Sequence, residues 1–95
     1  MDFNQLFRDR TKQFSIAIIR SLSPLPYSDD LSVIRKQIIR SSTSVAANYR
    51  AACRARSEKE KFAKICIVVE EIDETQFWLE LTEELEYLNY EKSSA

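Results

Sequence analysis

The chain has 95 residues, of which 44% are hydrophobic and 31% charged, with a formal net charge of −1. A chain of this length forms one domain, here residues 1–95, which buries roughly 60–65% of its unfolded surface, and the composition is that of an ordered globular protein. Histidine is absent, which removes histidine-activated nucleophiles and most zinc sites. Glycine is also absent, so hairpin turns that need positive φ are disfavoured.

The first predicted element is an amphipathic helix over residues 2–22. Five apolar residues recur there at spacings of four and seven, with charged residues between them: Phe3, Phe7, Phe14, Ile18 and Leu22. The charged N-terminal segment lacks the apolar stretch of a signal peptide, and no apolar run approaches the length of a membrane span. We therefore expect a cytoplasmic protein that does not cross a membrane.

The second predicted helix covers residues 30–55. Pro24 and Pro26 separate it from the first, and Ser28, Asp29 or Asp30 can cap it by accepting hydrogen bonds from its free N–H groups. Five residues form its apolar stripe: Leu31, Ile34, Ile38, Val45 and Ala52. The small residues of "RSSTSVAAN" predict a close approach to another helix, with the hydroxyls bonded back to the preceding turn. A catalytic serine would need a base that the sequence does not offer.

The third predicted helix covers residues 57–88. Ser57 and Glu60 in "SEKE" form a capping box, in which the serine covers an N–H of the first turn and the glutamate reaches back. The apolar stripe consists of Phe62, Ile65, Val69, Ile72 and Leu79, and it is widened by Phe77, Trp78, Leu81 and Leu85. A face this wide needs more than one neighbour. The three elements together predict an all-α, antiparallel up-down bundle with short connections.

The charges are distributed unevenly along the chain. Residues 35–64 carry nine basic groups against two acidic ones, whereas residues 65–95 carry one basic group against nine acidic ones. Antiparallel packing of the second and third helices gathers six cations at one end: Arg50, Arg54, Arg56, Lys59, Lys61 and Lys64. The first helix should bring Arg8 and Arg10 toward the same end.

Two interpretations of this basic end remain open. In one, the cations form a solvated face that also favours the C-terminal dipole of the second helix. In the other, they form an anion site for RNA or DNA phosphate, because Arg50 and Arg54 lie four residues apart on one helix face. Tyr49 beside them would then stack on a base.

The acidic half of the chain has three interpretations. Glu70 with Glu74, and Glu80 with Glu84, could chelate a divalent ion, but such runs are more often solvated faces, so we expect no metal. In the third, the acidic end of one subunit meets the basic end of another, which builds a ring or a filament. Within the subunit, Arg40 should pair with Asp73 or Glu70. Cys53 and Cys66 lie too far apart in this register for a disulfide.

One long segment resembles a known family. The features are Arg-Ser-x-x-Ser-Val-x-x-Asn (Arg40, Ser41, Ser44, Val45, Asn48), the following "YRAACRARS", and the acidic "EEIDETQFWLE". Over roughly residues 8–90 the chain is similar to small bacterial four-helix-bundle proteins related to those encoded in 23S ribosomal-RNA intervening sequences. The resemblance implies a left-handed up-down four-helix bundle that forms homo-oligomers. It assigns no biochemical activity, and none of the matching basic residues (Arg40, Arg50, Arg54, Arg56) is a known catalytic residue.

A more distant branch of that family, the accessory variability proteins of diversity-generating retroelements, forms a pentameric barrel that binds nucleic acid and works with a reverse transcriptase. Relatives continue past "YEKSSA" into a fourth helix, so we expect either a longer chain or a partner that supplies this helix. With three helices, the apolar residues Phe77, Trp78 and Leu81 should stay partly exposed and serve as an oligomer contact.

Two functions follow as hypotheses. The first is a non-enzymatic, oligomeric accessory protein that binds RNA through its basic end, using Arg40, Arg50, Arg54, Arg56, Lys59, Lys61, Lys64 and Tyr49. The alternative is a structural interaction module that assembles through its charge dipole and its exposed apolar face without nucleic acid. Neither requires a cofactor or a small-molecule substrate.

Overall fold

The computed structural model describes residues 2–85, which form three helices: α1 (Phe3–Leu22), α2 (Asp29–Cys53) and α3 (Glu58–Glu84). This part of the chain contains no strand, so the all-α prediction is confirmed. The second helix begins one residue before its predicted start and ends two residues before its predicted end. The third begins one residue later than predicted, and its predicted end at residue 88 lies outside the described residues.

Each helix begins at a side-chain cap. The side chains of Asp2, Ser28 and Ser57 accept hydrogen bonds from the backbone N–H three residues on, at 2.7, 3.2 and 3.1 Å. Of the three cap candidates for α2, Ser28 is therefore the one used. Glu60 does reach back, but its carboxylate accepts from the backbone N–H of Arg56 at 3.4 Å, one residue before the expected Ser57. These caps fix where each helix starts because they satisfy N–H groups that lack an intrahelical partner.

The helix α2 packs against both α1 and α3. Antiparallel register is visible on both sides: Ser15 lies opposite Ser42 and Phe7 opposite Tyr49, while Ser41 lies opposite Thr75. Within residues 2–85, α1 and α3 have no Cα atoms within 8 Å of each other. The central helix therefore holds the other two apart from one another.

The small residues of α2 lie where the helices approach most closely. Ser41 and Ser42 are fully buried, and the Ser42 carbonyl accepts a hydrogen bond from the Ser15 hydroxyl at 2.8 Å. The hydroxyl oxygens of Ser41 and Thr75 lie 2.8 Å apart and share a hydrogen bond. The predicted close approach is confirmed, and the hydroxyls of Ser41 and Ser42 also lie 3.3 Å from the carbonyl three residues earlier. Small side chains let the backbones meet, and hydrogen bonds satisfy the buried polar atoms.

The largest apolar cluster lies at the end of the molecule that contains the proline loop. It consists of Leu22, Leu25, Leu31, Ile34 and Ile38, with Ile18, Ile39, Trp78, Leu79 and Leu81 packed against it. The side chain of Leu25 is only 5% exposed although it sits between two prolines. A guanidinium N–H of Arg35 donates to the Leu25 carbonyl at 2.9 Å, so α2 also holds the loop in place.

Only part of the predicted apolar stripe of α3 is packed in the molecule: Leu79 lies against the apolar cluster and Ile65 is half-buried. The residues that α3 buries are Val68, Thr75 and Thr82, whereas Phe62 is 71% exposed and Val69 is 61% exposed. At Ser41 the backbone of α2 approaches α3 so closely that a small side chain, that of Thr75, lies opposite it. The larger apolar residues therefore lie to one side of the contact.

Candidate nucleic-acid interface

An open groove runs along the contact between α1 and α2, on the half of the molecule nearest the turn between α2 and α3. Its volume is about 610 Å³. The wall from α1 is formed by Gln5, Arg8, Asp9 and Lys12, and the wall from α2 by Ala46, Ala47, Arg50 and Arg54. Cations from two helices thus face a common space, which we call the basic groove.

Helix geometry places the groove cations. Arg50 and Arg54 are four residues apart and lie on one face of α2, as predicted, and Arg8 and Lys12 repeat that spacing on α1. The two alanines at 46 and 47 have side chains too short to fill the space between the helices, so the groove stays open. The expected approach of Arg8 to the α2 cations is confirmed.

A hydrogen-bonded chain orders the α1 wall. The capping residue Asp2 holds the backbone N–H of Gln5. The Gln5 amide oxygen then accepts from the Arg8 guanidinium, and its amide nitrogen donates to the Asp9 carboxylate at 3.0 Å. The glutamine therefore connects a cation and an anion that both line the groove. Because these side chains are already ordered, less conformational entropy is lost when a ligand binds to them.

The groove carries a net positive charge. Four cations (Arg8, Lys12, Arg50, Arg54) line it with one carboxylate, that of Asp9. Within residues 2–85, none of these cations forms an ion pair with an acidic side chain. Their charges are available to an anionic ligand, and they act in a partly enclosed space where the electrostatic field is less screened than on an open surface.

The other predicted cations at this end lie outside the groove. Arg56, Lys59 and Lys61 are exposed at the turn and in the first turn of α3, and Lys64 is half-buried farther along α3. The structure therefore divides the predicted set in two. Arg50 and Arg54 converge with cations of α1, whereas the other four lie on separate surfaces.

Arg40 is engaged in a structural ion-pair network. Its guanidinium donates to the Glu71 carboxylate at 3.1 Å and also pairs with Glu74. The predicted partners Asp73 and Glu70 are wrong by one position each. Its Nε donates in addition to the side-chain oxygen of Gln37 at 3.0 Å. Arg40 therefore joins α2 to α3, and its charge is already balanced by two carboxylates.

Tyr49 packs against α1 and is not among the residues that line the basic groove, although the groove cation Arg8 is close enough to influence its phenol. Its ring lies 6.1 Å from the ring of Phe7, centroid to centroid, and it is half-buried. Burial, followed by the Coulombic and hydrogen-bonding influence of Cys53, raises the pKa of the Tyr49 phenol above its ordinary value of 10.0. This tyrosine does not line the basic groove, and none of the described residues that do line it is aromatic.

The predicted oligomer contact is divided between core and surface. Trp78 and Leu81 pack against the large apolar cluster, and the indole N–H of Trp78 donates to Glu74 at 3.2 Å. Phe77 is 54% exposed and meets the edge of Trp78 with the ring centroids 5.0 Å apart. Only Phe77 of this set therefore presents a large free surface.

A second, apolar groove lies between α1 and α3. Its volume is about 350 Å³, and it is lined by Phe7, Arg10, Thr11, Phe14, Val45 and Ile72. The floor is formed by Val45 of α2, since α1 and α3 do not meet. Arg10, which was expected at the basic end, borders this groove and stacks its guanidinium over the Phe7 ring at 5.8 Å from the centroid. We refer to it below as the apolar groove.

The cysteines and the acidic residues that could have formed a disulfide or a metal site do neither in the described part of the chain. Cys53 and Cys66 are both free thiols and half-buried. Within residues 2–85, no three cysteine or acidic side chains are grouped so that they could hold a metal ion. Glu74 pairs with Arg40 and accepts a hydrogen bond from Trp78, and Glu80 accepts a hydrogen bond from Gln76 at 3.1 Å.

None of the three described helices combines the length and apolar character that a bilayer crossing requires.

Three groove residues were not anticipated from the sequence: Gln5, Asp9 and Lys12. The spacing of Arg8 and Lys12 was a usable signal, since it repeats that of Arg50 and Arg54. No comparable signal marks Gln5 or Asp9, whose role depends on which face of α1 turns toward α2. That orientation follows from packing and not from local sequence.

Comparison with known proteins places the chain in a family. The family model of the 23S rRNA-intervening sequence proteins matches residues 5–95. A solved structure of a protein with unknown function, from the S23 ribosomal protein family of Bacteroides thetaiotaomicron, is similar with a TM-score of 0.76 and 32% identity. The alignment covers 94% of this chain and 80% of that one. No curated protein matches the sequence. The chain therefore belongs to the 23S rRNA-intervening sequence protein family.

Proposed function

We propose that this protein is a non-enzymatic accessory protein of the cytoplasm that binds RNA phosphate in the basic groove. The observation that carries the proposal is the convergence of Arg8, Lys12, Arg50 and Arg54 from two helices on one space. A solvated face would leave its cations dispersed, whereas a groove lined by unpaired cations on both sides suits a chain of phosphates. The name of the family, which refers to ribosomal RNA, favours RNA as the polymer.

The mode of binding follows from what lines the groove. Arginine and lysine contact phosphate oxygens without reading the sequence, and among residues 2–85 no aromatic side chain lines the groove to stack on bases. We therefore propose binding that is largely independent of sequence. Its strength should depend on ionic strength, because each phosphate neutralised releases counterions.

A pair of matched variants tests whether the groove is the site. Arg50→Gln/Arg54→Gln removes two groove cations, and Lys59→Gln/Lys61→Gln removes two exposed cations nearby that do not line it. Binding of a fluorescently labelled single-stranded RNA would be measured by anisotropy at several salt concentrations. We expect the groove variant to lower the slope of log Kobs against log salt by roughly 1.4, because each phosphate neutralised on a single strand contributes about 0.7 to that slope.

The lysine variant should retain most of the slope. An equal reduction in both variants would point to the whole basic end of the molecule and not to the groove, and binding that is unaffected by the arginine pair would reject the proposal. Circular dichroism of both variants checks that the helices persist.

We also propose that the chain forms a homo-oligomer, and that the apolar groove is where another helix completes an up-down four-helix arrangement. The supporting observation is that α1 and α3 both pack on α2 and leave a long apolar space between them. Ile72 of α3 lines this space and is 45% exposed, and Phe62 and Val69 of the same helix are also exposed. Exposed apolar surface of this extent favours association, and a pentamer is the state that the family resemblance suggests.

Two single variants distinguish the candidate contact faces. Ile72→Asn places a polar group in the apolar groove, and Phe77→Asn does so on the face predicted from the sequence; both positions are exposed, so folding should tolerate the change. We expect light scattering coupled to size exclusion to show a smaller particle for Ile72→Asn and the wild-type particle for Phe77→Asn. The reverse result would assign the contact to Phe77. A wild-type monomer at micromolar concentration would reject oligomerisation.

The alternative function, an interaction module without nucleic acid, rests on the same apolar surface and on the separation of charge along α3. It predicts that Arg50→Gln/Arg54→Gln changes the size of the oligomer. It also predicts that RNA does not bind even at low salt.

A further inference from the structure

We propose that Asp9 and Gln5 make the basic groove selective for RNA over DNA, with Asp9 accepting a hydrogen bond from a ribose 2′-hydroxyl. This inference rests on the proposed function and concerns the same groove. It assigns a specificity-determining role to a carboxylate whose charge opposes the binding of phosphate.

The position of Asp9 is what requires explanation. It lines a groove whose cations would hold a phosphate chain better without it. Its carboxylate is not paired with Arg8 or Lys12, the cations one turn away or less on the same helix, but accepts from the Gln5 amide at 3.0 Å. Gln5 in turn accepts from Arg8, so the guanidinium and the carboxylate are held apart by the glutamine between them. The groove thus presents a fixed acceptor among its donors.

The chemistry of the ligand follows from this arrangement. A phosphodiester has only acceptor oxygens, so it is repelled by a carboxylate unless a donor lies beside it. In RNA, the 2′-hydroxyl is a donor close to every phosphate, and this group distinguishes RNA from DNA at a given site. A backbone whose phosphates are held by cations of both walls would pass close to Asp9, which lines the α1 wall together with Arg8 and Lys12, so its sugars would come within reach of this carboxylate.

Recognition of the sugar also suits the rest of the groove. The described part of the chain provides no aromatic side chain in the groove on which a base could stack, because Tyr49 packs on Phe7. The contacts that remain are to phosphate and to sugar, which every nucleotide carries. The site should therefore separate RNA from DNA while it stays indifferent to sequence.

The experiment compares two polymers that differ in the 2′-hydroxyl alone. Labelled oligoadenylate RNA and the matching oligodeoxyadenylate are titrated with wild type and three variants: Asp9→Ala, Asp9→Asn and Asp73→Ala. Asp73 is exposed on α3 outside the groove, so its variant makes the same change of charge elsewhere. We expect wild type to prefer RNA by about fivefold, the value of one hydrogen bond.

Asp9→Ala should abolish this preference and tighten the binding of DNA. Asp9→Asn should tighten both polymers yet keep part of the preference, because an amide oxygen still accepts. Asp73→Ala should keep the full preference for RNA over DNA. Equal tightening of RNA and DNA in Asp9→Ala with the preference retained, or no preference in wild type, would overturn the inference while leaving phosphate binding intact. Failure of wild type to bind either polymer at low salt would reject the proposed function itself.

Discussion

The hydroxyls of Ser41 and Thr75 lie 2.8 Å apart in the contact between α2 and α3, with both side chains almost completely buried. Thr75 also bonds to the Glu71 carbonyl of its own helix at 2.8 Å, so the pair extends into the backbone of α3. Next to Ser41 on α2, Arg40 pairs with Glu71 and Glu74. A buried hydrogen bond and a surface ion-pair network therefore fix the same register between the two helices.

Replacing Thr75 by valine should destabilise the protein by about 1 kcal/mol, because the buried Ser41 hydroxyl loses its partner in α3. The loss of stability should be near the lower end of the range for a buried polar group that loses a partner, because the Ser41 hydroxyl also lies 3.3 Å from the Ile38 carbonyl. Urea unfolding followed by circular dichroism measures the effect. The double variant Ser41→Ala/Thr75→Val should recover part of the stability, and strictly additive losses would show that the two hydroxyls are not coupled.

Replacing Arg40 by glutamine should cost under about 1 kcal/mol in free energy of unfolding, because the Arg40 side chain is 48% exposed and its ion pairs are screened by solvent. The cost should shrink further at high salt concentration. The same variant should leave the affinity for RNA unchanged, since two carboxylates already balance this charge. If this variant lost as much RNA affinity as replacement of a groove arginine does, Arg40 would have to be part of the nucleic-acid site.

Replacing Arg8 and Lys12 together by glutamine should weaken RNA binding about as much as Arg50→Gln/Arg54→Gln. The physical reason is that both pairs line the same groove from opposite walls. The salt slope from anisotropy titrations should again fall by roughly 1.4. Full retention of binding would restrict the site to α2 and would contradict the proposal that cations of both helices bind RNA together.

Stability should fall in alkaline solution as Tyr49 ionises. Its pKa is raised in the folded protein, so the folded state holds the phenolic proton more tightly than the unfolded chain does. The stabilisation is complete below the ordinary value of 10.0 and is lost as pH rises through the raised value. Urea unfolding at roughly pH 8 and above the ordinary tyrosine pKa of about 10 should show a smaller alkaline decrease for Tyr49→Phe than for wild type. Identical decreases would contradict the assignment to this residue.

The helices of this chain could be predicted because their signals are local. Pro24 and Pro26 interrupt the pattern, Ser28 and Ser57 supply caps, and apolar periodicity fills the segments between them. The close approach at Ser41 and Ser42 was predictable for a related reason, since small polar residues in mid-helix are poor helix formers and need another purpose. The boundaries of the helices differ from the predictions by two residues or fewer where both can be compared.

The faces of the helices could not be predicted as well. In α3, Phe62, Val69 and Ile72 follow the apolar periodicity and yet stay exposed, whereas the residues that become fully buried are Val68, Thr75 and Thr82. Hydrophobicity identifies which side chains avoid water but not which neighbour covers them. A helix that is apolar around much of its circumference leaves that choice to the fit between backbones.

The sequence by itself determined the helical class, the three helices, their caps and the gathering of cations toward the turn between α2 and α3, because each depends on residues close together in the chain. The tertiary structure decided which cations face one another. It selected Glu71 and Glu74 as the partners of Arg40, packed Tyr49 against Phe7, and brought Arg8 and Lys12 opposite Arg50 and Arg54. Those outcomes depend on the rotation of each helix about its axis, which is set where small side chains allow the backbones to approach.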